Sequence, residues 1–323
     1  MEPKLCLVTG AAGFIGSHLT DRLLALGYRV IGIDNYRLGK RSNLERALQS
    51  AEFTLLEADV NDDAVLLETL RPLCPAGSVH TFWHLAANSD IRAGTADPGV
   101  DLRDTFLTTF NSLKLMKALG IKRMAFASTS AIYGPKPGAV DEDAGPLQPI
   151  SNYGAMKLAA EACISAAAET ALDRVWTFRF PNVVGGRATH GVIYDFLNKL
   201  AANPAELEVL GDGTQEKPYL HVSELVNAMI HVWQRAERRY NVYNVGPDGP
   251  GTTVRYIAEA VVSAASPQAR IRYTGGDRGW PGDVPKFSYA IERLRNFGWA
   301  PSLTSRQAVD RCIAELVSER GLR

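Results

Sequence analysis

The sequence predicts an α/β fold, a doubly wound parallel sheet with a smaller mixed α/β domain beside it. Three observations carry this. An apolar segment, Leu5 to Val8, runs into Gly10, Gly13 and Gly16 and then into an amphipathic stretch. Strand-like apolar runs then alternate with stretches of helical period as far as Phe180. Beyond that point the alternation weakens into short, separate segments. With 323 residues, the chain is long enough for about two domains.

The stretch from Lys4 to Leu26 reads as strand, anion-binding loop and helix. Its first glycine allows a tight turn, the second lets the backbone approach a pyrophosphate, and the third lets the helix start pack closely on the strand. The N–H groups of the helix start then face the anion. A second apolar strand, Arg29 to Ile33, ends at Asp34, about 20 residues on, where an acid would accept hydrogen bonds from a ribose. A tight turn with an N-capping acid is the competing reading. Strand, glycines, helix and acid in the right order within one βαβ unit favour a dinucleotide.

The elements follow in order. Asn35 to Asn43 is a polar loop that could close over the adenosine end, and Phe53 to Glu57 is a short strand leading to Asp59 and Val60. Asp59 has two readings of equal weight: a cap for the helix Asp62 to Leu70, or the partner of an adenine amino group. Val79 to Leu85 is the next strand, and the small residues Ala86 and Ala87 at its end would let a ligand approach. His84, inside that apolar run, reads as a buried structural histidine. Asp101 to Leu119 is expected to be one long helix. The strand Arg123 to Ala127 then delivers Ser128, Thr129 and Ser130 to the same carboxyl edge. Pro135 to Pro149, rich in proline and glycine, is expected to be a mobile surface flap. In the helix Ser151 to Leu172, Tyr153 and Lys157 lie one turn apart on one face. A surface pair is the alternative, disfavoured because this helix follows a hydroxyl-bearing strand end in a chain with a dinucleotide loop.

Val175 to Phe180 is a strand, and Pro181 and Asn182 lead into Gly185 and Gly186. His190 to Ala201 reads as a helix, Leu207 to Leu210 and Tyr219 to Val222 as short strands, and Gly211 to Gly213 as a turn. Val242 to Val245 reads as a strand, Val254 to Ala265 as a helix, and Gly275 to Pro285 as a loop holding Arg278, Trp280 and Asp283. Residues 1–180, with 219–247 returning, are expected to form the nucleotide domain and 181–323 the rest of a discontinuous second one.

Lysine plus arginine balance aspartate plus glutamate at 35 each, so no bulk charge field points to nucleic acid or an anionic membrane. Cys6, Cys74, Cys163 and Cys312 lack metal-ligand spacing and read as reduced thiols. Without a signal-like N-terminus or an apolar run of about 18 residues, the protein is expected to be soluble and cytoplasmic, with no metal.

Thr9-Gly-Ala-Ala-Gly-Phe-Ile-Gly16, Asp34-Asn35-Tyr36, His84-Leu-Ala-Ala87, Ser128-Thr-Ser-Ala-Ile-Tyr-Gly134, Tyr153-Gly-Ala-Met-Lys157 and Arg179-Phe-Pro-Asn182 together resemble the extended short-chain dehydrogenases/reductases, and more narrowly the nucleotide-sugar epimerases. The resemblance implies a Rossmann-like NAD domain, a C-terminal substrate domain, and a homodimer joined by helices that include Asp101 to Leu119 and Tyr153 to Leu172. It implies Tyr153 as catalytic acid/base, Lys157 as the residue that binds nicotinamide ribose and lowers the tyrosine pKa, and Thr129 as the partner of the reacting hydroxyl. The expected NAD contacts are Gly10, Gly13, Phe14, Ile15, Gly16, Asp34, Asn35, Asp59, Val60, Leu85, Ala86, Ala87, Tyr153, Lys157 and Pro181. Those to a UDP-linked sugar are Thr129, Asn182, Val209, Leu210, Lys217, Arg278 and Asp283.

Four positions depart from relatives. Thr108 stands where many of them carry asparagine, which puts that contact to cofactor or sugar in doubt. Lys217 replaces a common arginine, keeping the charge and losing the bidentate fork. Arg278 lies two residues farther from Gly282-Asp283 than usual. Ala131 stands where related dehydratases and decarboxylases carry an acid. The expected activity is NAD-dependent 4-epimerisation of a UDP-hexose or UDP-hexuronate. Another epimerase, a net dehydrogenase or dehydratase of the same fold, and a dinucleotide sensor without chemistry remain the alternatives. Asp34 favours NAD over NADP, although Arg37 lies near enough in sequence to pair with a 2'-phosphate.

Overall fold

β1 (Leu5–Thr9) is buried at every position, as a central parallel strand covered on both faces must be. The structure, a computed structural model, describes residues 3–276 and 286–322, so Arg278, Trp280 and Asp283 lie outside the described residues. α1 (Phe14–Ala25) leads to β2 (Arg29–Asp34), which runs parallel to β1 with Thr9 opposite Ile33. After β3 (Phe53–Glu57) and α2 (Asp63–Leu70) comes β4 (Val79–His84). β3 extends the sheet beyond β2, whereas β4 pairs with the other edge of β1. The winding therefore reverses at β1, and the carboxyl ends of β1 and β4 form the crevice in which such sheets bind ligands.

The helix expected over Asp101 to Leu119 runs without a break to Ala118 but is not regular. After α3 (Ile91–Ala96), α4 (Pro98–Asp101) passes into a π-helical turn, Leu102–Leu107, and then into α5 (Thr108–Ala118). The cause is a contact from another loop. The Asn88 backbone N–H donates to the Asp104 carbonyl at 2.9 Å, taking the acceptor that a regular α-helix would offer to residue 108.

β5 (Arg123–Thr129) runs parallel to β4, and β6 (Ala139–Val140) falls within the expected surface flap. That segment is anchored at its middle: Val140 and Glu142 are buried, and the Glu142 carboxylate accepts from the Asn244 N–H at 2.7 Å. α6 (Asn152–Thr170) starts where the Ser151 hydroxyl oxygen accepts from the Gly154 N–H at 3.1 Å. β7 (Arg174–Phe180), β8 (Asn182–Val184), α7 (Val192–Ala202), β9 (Glu206–Val209), β10 (Glu216–Lys217) and β11 (Tyr219–His221) follow. The chain continues through α8 (Val222–Arg235), β12 (Tyr240–Asn244), β13 (Thr252–Thr253), α9 (Val254–Ala265), β14 (Arg270–Tyr273), β15 (Ser288–Tyr289), α10 (Glu292–Asn296) and α11 (Ser305–Glu319). The main sheet has seven strands in the order β3-β2-β1-β4-β5-β7-β12.

The chain divides into two units. One comprises residues up to 132, 151–179 and 229–243; the other comprises 133–150, 180–228 and 244 onward. In the first, Leu7, Ile31, Ile33 and Phe82 of the sheet pack with Leu66 and Leu70 of α2, Met116 of α5 and Ile164 of α6. In the second, Leu207 and Val209 of β9 pack with Phe196 of α7, Val261 of α9 and Ile313 of α11.

Two helices correct the expected layout. Val222 opens α8 rather than closing a strand, and α11 occupies a stretch to which no element was assigned. Both carry the helical period: Leu225, Val226, Met229, Ile230 and Trp233 are buried in α8, and Val309, Cys312, Ile313 and Leu316 in α11. Thr304 and Gln307 cap α11 reciprocally. Among the described residues, no helix is long and apolar enough to cross a membrane.

Candidate active site

The glycine loop is folded too tightly for side chains. Gly10 has φ +70°, and a Cβ there would sit 2.9 Å from the Ala86 nitrogen. At Gly16 a Cβ would run into the Gly10 carbonyl oxygen. The N-cap of α1 is Gly13, which has no side chain to take the first N–H groups of the helix, and such groups suit an anion. Phe14 is buried and Ile15 half-buried behind it.

Asp34 is fixed between this loop and the end of β2. Its Oδ2 accepts from the Ala12 N–H at 2.9 Å and its Oδ1 from the Tyr36 N–H at 2.8 Å. Burial pushes the carboxyl up, while the N–H groups of Tyr36, Ala12 and Gly13 draw it back. Arg37 is engaged elsewhere, its Nη1 donating to Asp104 Oδ2 at 2.6 Å; Arg103 forks onto the same carboxylate. Asn35 Nδ2 donates to Asp59 Oδ2 at 2.8 Å, and Asp59 Oδ1 accepts from the Asn61 N–H at 2.8 Å. The N-cap of α2 is Asp62, so the capping reading of Asp59 does not hold. Val60 is part of the main core, which leaves only its main chain to meet a nucleotide.

At the end of β4, Leu85, Ala86 and Ala87 are half-buried. The Thr9 hydroxyl oxygen accepts from the N–H groups of Leu85 and Ala86, each at 3.3 Å. His84 is fully buried, with Nδ1 2.8 Å from Thr9 Oγ1 and Nε2 3.0 Å from Thr109 Oγ1. Burial, and then the Lys157 charge, push its imidazole down to about 3, so it is neutral and structural.

β5 and α6 bring Thr129, Tyr153 and Lys157 together in the first unit. Thr129 Oγ1 accepts from the Ala131 N–H at 3.1 Å, and the Thr129 side chain acts on the Tyr153 phenol. Lys157 is 2% exposed; its Nζ donates to the Ala127 carbonyl at 2.7 Å and lies 5.9 Å from the Tyr153 ring centroid. Burial pushes the phenol up to about 12; Thr129 opposes this, and Asp101 when ionised adds to it. Burial pushes Lys157 down to about 7, against the charge of Glu161 and that of Asp101 when ionised. Each group therefore resists the charge that would stabilise the other, and an ammonium beside a phenolate satisfies both.

Buried partners that sequence reasoning did not single out hold this cluster. Glu161, one turn beyond Lys157, accepts from the Ser128 hydroxyl and from Arg179, whose Nη2 donates to Oε2 at 2.7 Å. Only the four-residue spacing from Lys157 hints at Glu161 in the sequence. Asp101 carries no local signal at all.

In the second unit Pro181 is buried, and Asn182 is exposed at the start of β8, opposite Tyr219 of β11. The Val209 side chain is in the core and its carbonyl accepts from the Thr274 N–H at 3.0 Å, whereas Leu210 is exposed. Lys217, on β10 opposite Thr252, is half-buried. Nearby Gln215 is buried with neither amide atom hydrogen-bonded, a polar group that sequence reasoning passed over.

A glycine loop and a fixed acid at the switch point of an open α/β sheet define a dinucleotide-binding enzyme class. The chain belongs to the NAD dependent epimerase/dehydratase family, whose model matches residues 6–246. It is 29% identical over 317 residues to a putative UDP-glucose 4-epimerase of Methanocaldococcus jannaschii, a match that covers 96% of this chain and 97% of that one. The Thermus thermophilus UDP-glucose 4-epimerase in complex with NAD is similar at TM-score 0.83 and 27% identity, with 96% and 98% of the two chains covered. A dTDP-glucose 4,6-dehydratase from Streptomyces venezuelae, also with NAD bound, is similar at TM-score 0.86 and 25% identity, with 98% of each chain covered. The cofactor is NAD, and the tight glycine loop and Asp34 fit its pyrophosphate and ribose.

Arg37 is held by Asp104, and the Asp34 carboxylate would face a 2'-phosphate with like charge. NADP is expected to bind about 10²-fold more weakly than NAD in a titration, since facing like charges cost several kcal/mol. Asp34→Asn should narrow that gap; equal affinities in the wild type would contradict the assignment.

Proposed function

We propose that this protein is an NAD-dependent 4-epimerase of a UDP-linked hexose or hexuronate. The observation that carries the reading is the grouping of Tyr153 with the buried Thr129 and Lys157, with a methyl group, Ala131, two residues after the threonine. Such a cluster can remove a hydroxyl proton and return it, but Ala131 supplies no acid for elimination. The relatives named as UDP-glucose 4-epimerases agree with this, although a dehydratase is also among the similar structures.

NAD, when bound, supplies an acceptor for a hydride from the sugar carbon that can also give it back. Tyr153 accepts the C4 hydroxyl proton, Lys157 stabilises the phenolate, and Thr129 orients the hydroxyl. The sugar then turns its other face, and Tyr153 returns the proton. Lys217, Arg278, Asp283 and the main chain at Val209 and Leu210 grip the UDP end, while Asn182, Ala87 and Ala131 leave the ring room to rotate. The protein acts as a homodimer joined through the helical stretches Asp101 to Leu119 and Tyr153 to Leu172. Leu102 and Phe110, both 47% exposed, support that pairing.

The test is incubation with UDP-glucose, UDP-glucuronate and their galacto forms without added NAD. C4 epimers without net NADH are expected. A 4-keto-6-deoxy sugar or a pentose would show that another acid reaches the site. Inversion at C2 or C5 of a different nucleotide sugar would move the assignment to another epimerase, and NAD retention without any turnover would favour a sensor.

A further inference from the structure

Asp101, the last residue of α4, is fully buried. Its Oδ1 accepts from Asn88 Nδ2 at 2.8 Å, whereas its Oδ2 is buried without a hydrogen-bond partner. Gly94 is packed so closely against Oδ2 that a methyl group there would collide with it. The Gly94 carbonyl in turn accepts from Asn152 Nδ2 at 2.9 Å, one residue before Tyr153. α4 and the π-helical turn pack on α6, and the charge state of Asp101 acts on both Tyr153 and Lys157.

An ionised carboxylate with a bare, buried oxygen is far costlier than a neutral acid with one unmet group, so such a group takes up a proton. Burial is the largest influence on Asp101 and pushes its carboxyl up. Asn88 and Thr105 oppose this, and Asp104 and Asp90 add to it. Asp104 is itself paired with Arg37 and Arg103, which limits its contribution. The charged or titratable groups around Asp101 are thus Asp90 before α3, Asp104 in the π-helical turn, and Tyr153 and Lys157 on α6.

We propose that Asp101 is held as a neutral carboxylic acid at neutral pH, a positioning residue that fills the inner side of the Tyr153 and Lys157 pair without charging it. The inference rests on the proton-transfer role proposed for Tyr153. Asp101→Ala removes the Asn88 tether and should lower kcat/KM about tenfold or more through misplacement of the pair. Asp101→Asn, uncharged and of the same shape, should restore it at neutral pH. The restored profile should part from wild type only on the alkaline side, where Asp101 ionises.

A readout independent of activity is thermal stability against pH. In the folded protein the carboxyl is raised, so wild type loses stability as pH climbs from about 4, the unfolded value, to the folded one. Asp101→Asn should therefore melt higher than wild type at neutral pH, with the gap closing toward about pH 4. A gap that is absent, reversed or independent of pH would overturn the proposal, as would failure of asparagine to rescue alanine. If the variants do not fold, infrared spectra of wild type with labelled aspartate decide. A protonated-carboxyl band at neutral pH that vanishes on alkaline titration is expected, and its absence refutes a neutral Asp101. Should Tyr153→Phe keep full activity, the role of Tyr153 fails while the stability result still stands.

Discussion

Tyr153→Phe is expected to lose about 10²–10⁴-fold in turnover, the usual contribution of one general acid/base. The change deletes a single hydroxyl, and the ring still packs beside Lys157, so the fold and NAD content should survive. Even with Thr129 drawing it down, the phenol stands near 12, far from useful at neutral pH. Catalysis therefore depends on stabilising the phenolate further, through the Lys157 ammonium. Turnover assays alongside circular dichroism and bound-nucleotide analysis separate chemistry from folding. Near-wild-type rates in this variant would remove Tyr153 from the proton transfer.

Lys157→Met should lose both turnover and NAD retention, yet gain stability in the NAD-free protein below about pH 7. Lys157 sits near 7 in the folded chain, against about 10.4 when unfolded. Below the folded value it is charged in both states, and the cost of burying that charge is fully present. Between the two values the unfolded chain binds more protons, so wild-type stability rises with pH. The advantage of methionine should thus shrink toward about pH 10. The drop to about 7 corresponds to roughly 5 kcal/mol, more than the about 1–3 kcal/mol lost when the Ala127 carbonyl loses its donor. Denaturation of the two NAD-free proteins across this range checks the sign. A methionine variant less stable than wild type at every pH would mean that Lys157 is held by a stronger partner than the cluster contains.

Much of the NAD-binding half was legible because its signals are local. Five consecutive apolar or small residues make β1, three glycines with one spacing make a loop that only glycine can fill, and Asp34 ends β2 by position alone. Tyr153 and Lys157 share a helical face for the same reason, a period of 3.6 residues. α8 and α11 were equally legible and simply carry their period in a region of weaker alternation.

Other features have no local cause. The π-helical turn exists because the Asn88 N–H, from the loop after β4, takes the Asp104 carbonyl. Arg37 faces Asp104, 67 residues away, rather than the space beside Asp34. Glu161 becomes a buried counter-charge only when Ser128 and Arg179, from two different strands, close on it. Asp101 is an ordinary helix-end acid in the sequence, and packing against Gly94 and Asn88 removes its water. The sequence by itself determined the elements, the nucleotide loop and the reactive pair, since these follow from spacing along the chain. Only the tertiary structure decided which charges are buried and what they face, because desolvation and pairing depend on residues far apart in sequence.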